Sequence, residues 1–256
     1  RPVLGIYFNQ YQSLLRFRQY CRDQEIPIWE DDVKPVDRFM MERFVRGSLA
    51  FAATESSNSN HIIVNPKIKP ASYQPRLKLL SVDIETSMPT KHTRETLYSI
   101  GFAGEWSGEN QSERTHCVMM VGDTRPDDAP EWLHLFPDVR SLLLAANQWV
   151  AAFDPDVMVG WSVVNFDITV LDRLFREKGV PLNWGRQQQL IRLRDGQNNL
   201  KFVDIPGRVI IDGIDGLKSA TWQFDSFSLQ HVSETLLGSG KKLGKHQDKV
   251  DNRGQA

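Results

Sequence analysis

The period of the apolar positions changes along this chain. In the first third, residues 3–8 (Val3, Leu4, Ile6, Tyr7, Phe8) form an apolar run that predicts a strand. Residues 11–23 carry Leu14, Leu15, Phe17 and Cys21 at helical spacing, residues 27–30 predict another strand, and residues 35–44 predict a helix with Phe39, Met40 and Phe44 as its stripe. A polar turn between strands is expected at 54–60, and Pro66, Pro70 and Pro75 mark 65–76 as a linker. From residue 77 the pattern becomes strand-rich. Strands are expected at 77–85, 97–104, 115–122 and 132–136, the first three as an antiparallel meander. A helix follows at 139–153, with Leu142, Leu143, Ala146, Trp149 and Val150 inward. A short buried strand at 156–160 leads into a helix that Gly179 stops. Residues 189–205 predict a hairpin around Asp195-Gly196, residues 208–212 a strand, and residues 213–220 and 228–237 two helices. Strands first and then strand–helix alternation predict an α/β protein with a mixed sheet and helices on both faces. The expected domains are residues 1–76, a small α/β amino-terminal domain with its linker, then residues 77–240, with 241–256 as a polar tail.

Composition narrows the reading only a little. The chain has 256 residues, 40% of them hydrophobic and 25% charged, with formal net charge −1, so bulk charge argues neither for nor against a nucleic-acid partner. Its two cysteines, Cys21 and Cys117, have no metal or redox spacing and read as small core residues suited to a reducing cytosol. No apolar run is long enough to span a bilayer, and no signal-peptide pattern is present, so no membrane partner is expected. The six histidines lack metal spacing, and the glycines at 238–244 lack a phosphate-loop lysine and serine. The start at Arg1 and the polar end at 241–256 suggest a piece of something longer.

The chemistry concentrates in two places. In Leu80-Ser81-Val82-Asp83-Ile84-Glu85-Thr86, strand alternation sends Leu80, Val82 and Ile84 to one face and Ser81, Asp83 and Glu85 to the other. Two carboxylates held so close on one face raise each other's pKa or take a cation between them, and a hard divalent metal bound through oxygen is the simplest answer. The second place is Asn165-Phe166-Asp167. Asp167 precedes Leu171 by four residues and Leu174 by seven, so it shares the inward stripe of its helix. An acid there is costly unless something pairs with it. Two readings of Asp167 stand: a metal ligand, or an anion serving the first helical turn. Asn165 is the better cap of that helix. A lone Asp-x-Glu is usually a solvated strand face. Three acids from two buried elements are instead what two-metal phosphodiester cleavage needs, with ions roughly 4 Å apart on the scissile phosphate.

These motifs resemble those of the family B DNA polymerases. Asp83-Ile84-Glu85-Thr86 is similar to the family's first exonuclease motif. Gly160-Trp161 through Asn165-Phe166-Asp167 is similar to the second. Gly207-Arg208-Val209-Ile210-Ile211-Asp212 and Ser226-Phe227-Ser228-Leu229 resemble the segment after it, and Val33-Lys34-Pro35 with Arg38 to Phe44 resembles the end of the amino-terminal domain. The resemblance covers residues 1 to about 240. It implies a ribonuclease-H-like exonuclease domain behind a small amino-terminal domain, and a proofreading 3′-5′ exonuclease using two Mg²⁺ or Mn²⁺ ions. It implies as partners a single-stranded primer 3′ end and the polymerase domain of the same full-length chain, in a bacterial cytoplasm. By the same resemblance Asp83 bridges both ions, Glu85 binds one and positions water, and Asp167 holds the second. Asn165 and Phe166 line the slot for the 3′ end, Phe166 offering a ring for stacking or else simple core packing. Thr86 meets the terminal nucleotide, and the 189–205 hairpin corresponds to the one that helps part primer from template. Asp212 reads as the cap of the next helix. The family's third motif, a Tyr and an Asp on a helix, is not found after Gly238, and neither Asp248 nor Asp251 takes its place. Weak activity of the isolated chain is therefore expected. The alternatives are a non-catalytic DNA-binding scaffold or another ribonuclease-H-like nuclease.

Overall fold

The computed structural model describes residues 2–52, 65–90, 94–107, 112–196 and 200–240. The chain divides into two compact units, Arg1–Pro75 and Arg76–Ala256. In the first, α1 (Tyr11–Asp23) buries Cys21, and α2 (Pro35–Glu42) starts on Pro35, whose missing N–H costs nothing in a first turn. Strands β1 (Leu49–Ala52) and β2 (Lys67–Pro70) pair antiparallel.

Several expectations fail in this unit. Residues 3–8 and 27–30 are not strands, and Leu4 is 93% exposed. An apolar run becomes a strand only where a ladder partner takes its backbone groups, and among the described residues neither run has one. Helix α2 stops at Glu42, and Phe44 leaves the expected stripe with a left-handed φ of 55° and an exposed ring. Strand β2 lies inside the expected linker, with Pro70 at its end, where a missing donor is tolerated. The expected turn at 54–60 lies outside the described residues. Arg18 and Arg22 of α1 both approach Asp31, Arg22 at 2.7 Å.

The second unit is built on a six-stranded sheet. Its strands are β3 (Lys78–Thr86), β4 (Leu97–Ser107), β5 (Ser112–Val121), β6 (Leu133–Phe136), β7 (Val157–Gly160) and β10 (Val209–Asp212), in the order β10-β7-β3-β4-β5-β6. The antiparallel meander β3-β4-β5 forms as the alternation predicts, while β7 on β3, β10 on β7 and β6 on β5 are parallel. Helix α3 (Val139–Phe153) starts where Asp138 accepts the Ser141 N–H at 2.8 Å, a serviceable N-cap. Helix α4 (Thr169–Glu177), the hairpin β8 (Arg192–Asp195) with β9 (Lys201–Asp204), α5 (Gly213–Ser219) and α6 (Leu229–Leu237) complete it.

One core organises this sheet. Leu80, Val82 and Ile84 of β3 join Leu142 and Leu143 of α3 and Leu171 of α4 in a single buried cluster. Each such side chain contributes about 2 kcal/mol. The alternate residues of β3, Leu79, Asp83 and Glu85, are exposed. The helices expected on both faces are therefore unequal. Helices α3 and α4 share the core face. On the other face short α5 lies near Ile211 at the β10 edge, where a Cβ added to Gly216 would come within 3.9 Å of the Ile211 side chain. That leaves the acids of β3 uncovered. At the amino ends of the parallel strands, Arg208, nearly buried, donates to Asp154 at 2.7 Å and to the Pro155 carbonyl. Arg186 donates to Asp156 at 2.6 Å, which also accepts the Lys78 N–H at 2.9 Å. These ion pairs hold both carboxyls below the usual carboxylate range and fasten the starts of β10, β7 and β3 together.

Candidate active site

The carboxyl ends of β10, β7 and β3 point the same way, and such ends are where α/β sheets place their sites. Strand β7 stops at Gly160 because the chain turns sharply there. A Cβ on Gly160 would come within 2.6 Å of Val163 Cβ and 2.8 Å of the Val82 carbonyl, so only glycine fits the crossing. Ser162 takes a left-handed φ of 57°, and the chain enters a π-helical turn, Val164–Ile168, before α4 begins. The Ile168 N–H reaches back five residues to the Val163 carbonyl at 2.8 Å. Thr169 Oγ1 donates to the Val164 carbonyl at 2.9 Å.

This wide turn aims successive side chains differently. Asn165 and Phe166 face outward, Phe166 with 44% of its surface exposed, while Asp167 is 2% exposed. Beyond the end of β7, Asp167 Oδ1 accepts the Ile84 N–H of β3 at 2.9 Å, filling the place a further strand residue would take. Burial pushes the Asp167 carboxyl up to about 7. The Asp83 charge adds to that rise, the Ile84 N–H opposes it, and Asp212 adds a smaller push. Asp167 thus touches the strand between the two acids of the first motif, and it feels Asp83 directly.

Glu85 stands two residues further along β3 on the exposed face, just before a register shift at Thr86, which pairs with Leu97. Among the described residues, no three His, Cys, Asp or Glu side chains gather closely enough to hold a metal ion. Asn165 is not a helix cap, contrary to expectation. It lies inside the π turn, and its Oδ1 accepts the Lys201 N–H of β9 at 3.1 Å. The core-packing reading of Phe166 fails on its exposure. Asp212 caps α5 as expected, accepting the Ile214 N–H at 3.0 Å, and it also reaches two N–H groups of the turn. Asp248 and Asp251 lie outside the described residues. The Ile84 N–H as the partner of Asp167 left no trace in the sequence, because a backbone group carries no residue signature.

Fold and site together define an α/β domain whose buried carboxylate meets a second carboxylate at the ends of parallel strands. The chain belongs to the family B DNA polymerases: residues 26–232 match the family described as DNA polymerase family B, exonuclease domain. It is 36% identical over 259 residues to DNA polymerase II of Escherichia coli (strain K12), covering 98% of this chain and 31% of that protein. It is also similar to the DNA polymerase delta catalytic subunits of Oryza sativa subsp. japonica and Plasmodium falciparum. The first is 25% identical over 64% of this chain and 16% of that protein, the second 26% over 42% and 11%. The chain therefore spans about a third or less of the length of these relatives. Its six-stranded mixed sheet is the ribonuclease-H-like arrangement that the motifs imply.

Exonuclease domains of this family work with metal ions. The residues present fit a hard divalent ion. Asp167 and Asp83 offer oxygen donors, which suit such an ion, and among the described residues the buried Asp167 carboxyl has the Ile84 N–H as its hydrogen-bond donor and no ion pair. No helix of the described residues is long and apolar enough to cross a membrane.

Proposed function

We propose that this chain is the proofreading part of a DNA-directed DNA polymerase, a two-metal 3′-5′ exonuclease that removes the 3′-terminal nucleotide of single-stranded DNA. The observation that supports it most is the buried Asp167 carboxyl set against β3 beside Asp83, in a chain of this family. Residues 1–76 are its amino-terminal domain, 77–240 its exonuclease domain and 241–256 a tail. The polymerase domain of the full-length protein is its partner, and the bacterial cytoplasm its location.

When bound, two Mg²⁺ or Mn²⁺ ions would supply the positive charge that activates water and stabilises the leaving oxygen. Asp83, Glu85 and Asp167 would hold these ions, with Glu85 also orienting the water. Asp167 must lose its proton to do so, and a cation beside it favours that loss. The exposed ring of Phe166 stacks on the terminal base and Asn165 borders the slot. Thr86 offers its N–H or hydroxyl to the terminal sugar. Water attacks the last phosphorus and gives up a proton, the bond to the preceding 3′ oxygen breaks, that oxygen takes a proton to become the new 3′ hydroxyl, and a nucleoside 5′-monophosphate leaves.

The test is degradation of 3′-labelled single-stranded DNA with Mn²⁺ by the full-length protein, because weak activity is expected of the isolated chain. Asp83→Ala and Asp167→Ala should each lower the rate at least a hundredfold with folding intact. If neither variant alters the rate or the binding of Mn²⁺, the nuclease reading fails and the DNA-binding scaffold stands. An RNA strand cut as fast as DNA would favour another ribonuclease-H-like nuclease.

A further inference from the structure

Asp212 does more than a helix cap requires. Its carboxylate is 5% exposed and accepts three backbone N–H groups. Oδ1 takes Ile214 at 3.0 Å and Ser162 at 3.2 Å, and Oδ2 takes Val164 at 3.2 Å. Capping α5 needs the first alone. The other two belong to the turn between β7 and α4. Ser162 is the residue held at positive φ, and Val164 opens the π turn that carries Asp167 three residues on. Asp212 pairs with Gly160 at the carboxyl ends of β10 and β7, so one side chain spans the gap between a strand end and its neighbour's exit. The two segments interlock nearby as well. A Cβ on Gly213 would meet the Trp161 ring at 2.8 Å, and Trp161 Nε1 donates to the Phe227 carbonyl at 3.0 Å.

We infer that Asp212 is a positioning residue for the nuclease site: its carboxylate clamps the Ser162 and Val164 N–H groups and so fixes the π turn that delivers Asp167 to β3. This rests on the nuclease reading. Unclamped, the left-handed Ser162 relaxes toward ordinary φ, and Asp167 loses its registration against the Ile84 N–H. Two buried N–H groups also lose their acceptor. In this role Asp212 acts on the site through the turn it holds.

Two substitutions separate the clamp from its other roles. Asp212→Ser keeps a good cap for Ile214 but is too short to hold the turn. Asp212→Glu keeps the charge and misplaces it. Each is compared with the unmodified protein by Mn²⁺ titration without DNA, by amide hydrogen exchange at Ser162 and Val164, and by kcat and KM on 3′-labelled single-stranded DNA. The expected result is a Mn²⁺ dissociation constant raised about tenfold or more, a fall in kcat of similar size with KM unchanged, and faster exchange at both amides. Wild-type Mn²⁺ affinity in Asp212→Ser overturns the clamp, and wild-type affinity in Asp212→Glu shows that charge alone matters and overturns it too. Should Asp212→Ser not fold, Asp212→Asn, which keeps the shape, decides by the same readings. Asp83→Ala and Asp167→Ala run beside them. If these abolish cleavage while the Asp212 variants behave normally, only this inference fails; if they change nothing, the nuclease reading itself fails.

Discussion

Asp167→Asn removes a charge that burial penalises and keeps an oxygen for the Ile84 N–H, so stability and activity should move in opposite directions. At pH 8 without metal, the variant is expected to melt higher than the parent, and with Mn²⁺ to cleave DNA at least a hundredfold more slowly. The same carboxyl sets a pH dependence. Its folded value of about 7 lies above that of an unfolded chain, about 4. The folded protein therefore keeps a proton that the unfolded one has lost. Its contribution is fullest below about pH 4 and declines as pH rises to about 7, by up to about 4 kcal/mol. Urea unfolding in chelator between pH 4.5 and 8 should show this decline in the parent and lose it in Asp167→Asn. Asp154 and Asp156, held low by Arg208 and Arg186 respectively, act in the other direction and lower in pH, since their contribution disappears as pH falls below the ordinary carboxylate range. The acids were legible as residues, from alternation in β3 and from the apolar stripe behind Asp167. Their relation was not, because what joins them is a main-chain N–H.

At the scale of elements, the strands and helices with a strong period were legible: the β3-β4-β5 meander, and α3 with the boundaries the sequence suggests. The stretch between β7 and α4 was not. A continuous helix and a π turn followed by a helix share one apolar stripe, and nothing in the residue types marks a bond reaching back five positions. Asn165 looked like a cap because asparagine favours caps, but the Lys201 N–H of β9 competes for its oxygen. The misread runs at 3–8 and 27–30 failed for a related reason, since local hydrophobicity does not supply a partner strand. The turn's packing makes a graded prediction. Gly160→Ala forces a Cβ against the backbone carbonyl of Val82 and should cost about 2 kcal/mol or more. Gly179→Ala, at positive φ but with open space around it, should cost only about 1 kcal/mol of backbone strain. Thermal denaturation of the two variants checks the order, and only Gly160→Ala should also depress Mn²⁺-dependent cleavage.

For the molecule as a whole, the buried apolar cluster is drawn entirely from residues 80–205, with none from the first unit. A polypeptide of residues 76–240 should therefore fold alone and melt cooperatively, with the near-ultraviolet signal of buried Trp184 intact. A broad, non-cooperative melt would count against that. The mixed α/β class was legible because alternating strands precede alternating strand–helix units. The uneven cover of the sheet was not, since period alone does not say which face a short helix such as α5 chooses. The division near residue 75 coincides with a proline-rich stretch, yet β2 lies within that stretch as a paired strand.

The five-residue reach of the π turn has one more consequence, for chain length. Within Val164–Ile168 each residue has a set rotation about the helix axis, and removing one would swing Asp167 away from the Ile84 N–H. That span should therefore tolerate changes of side chain far better than any insertion or deletion.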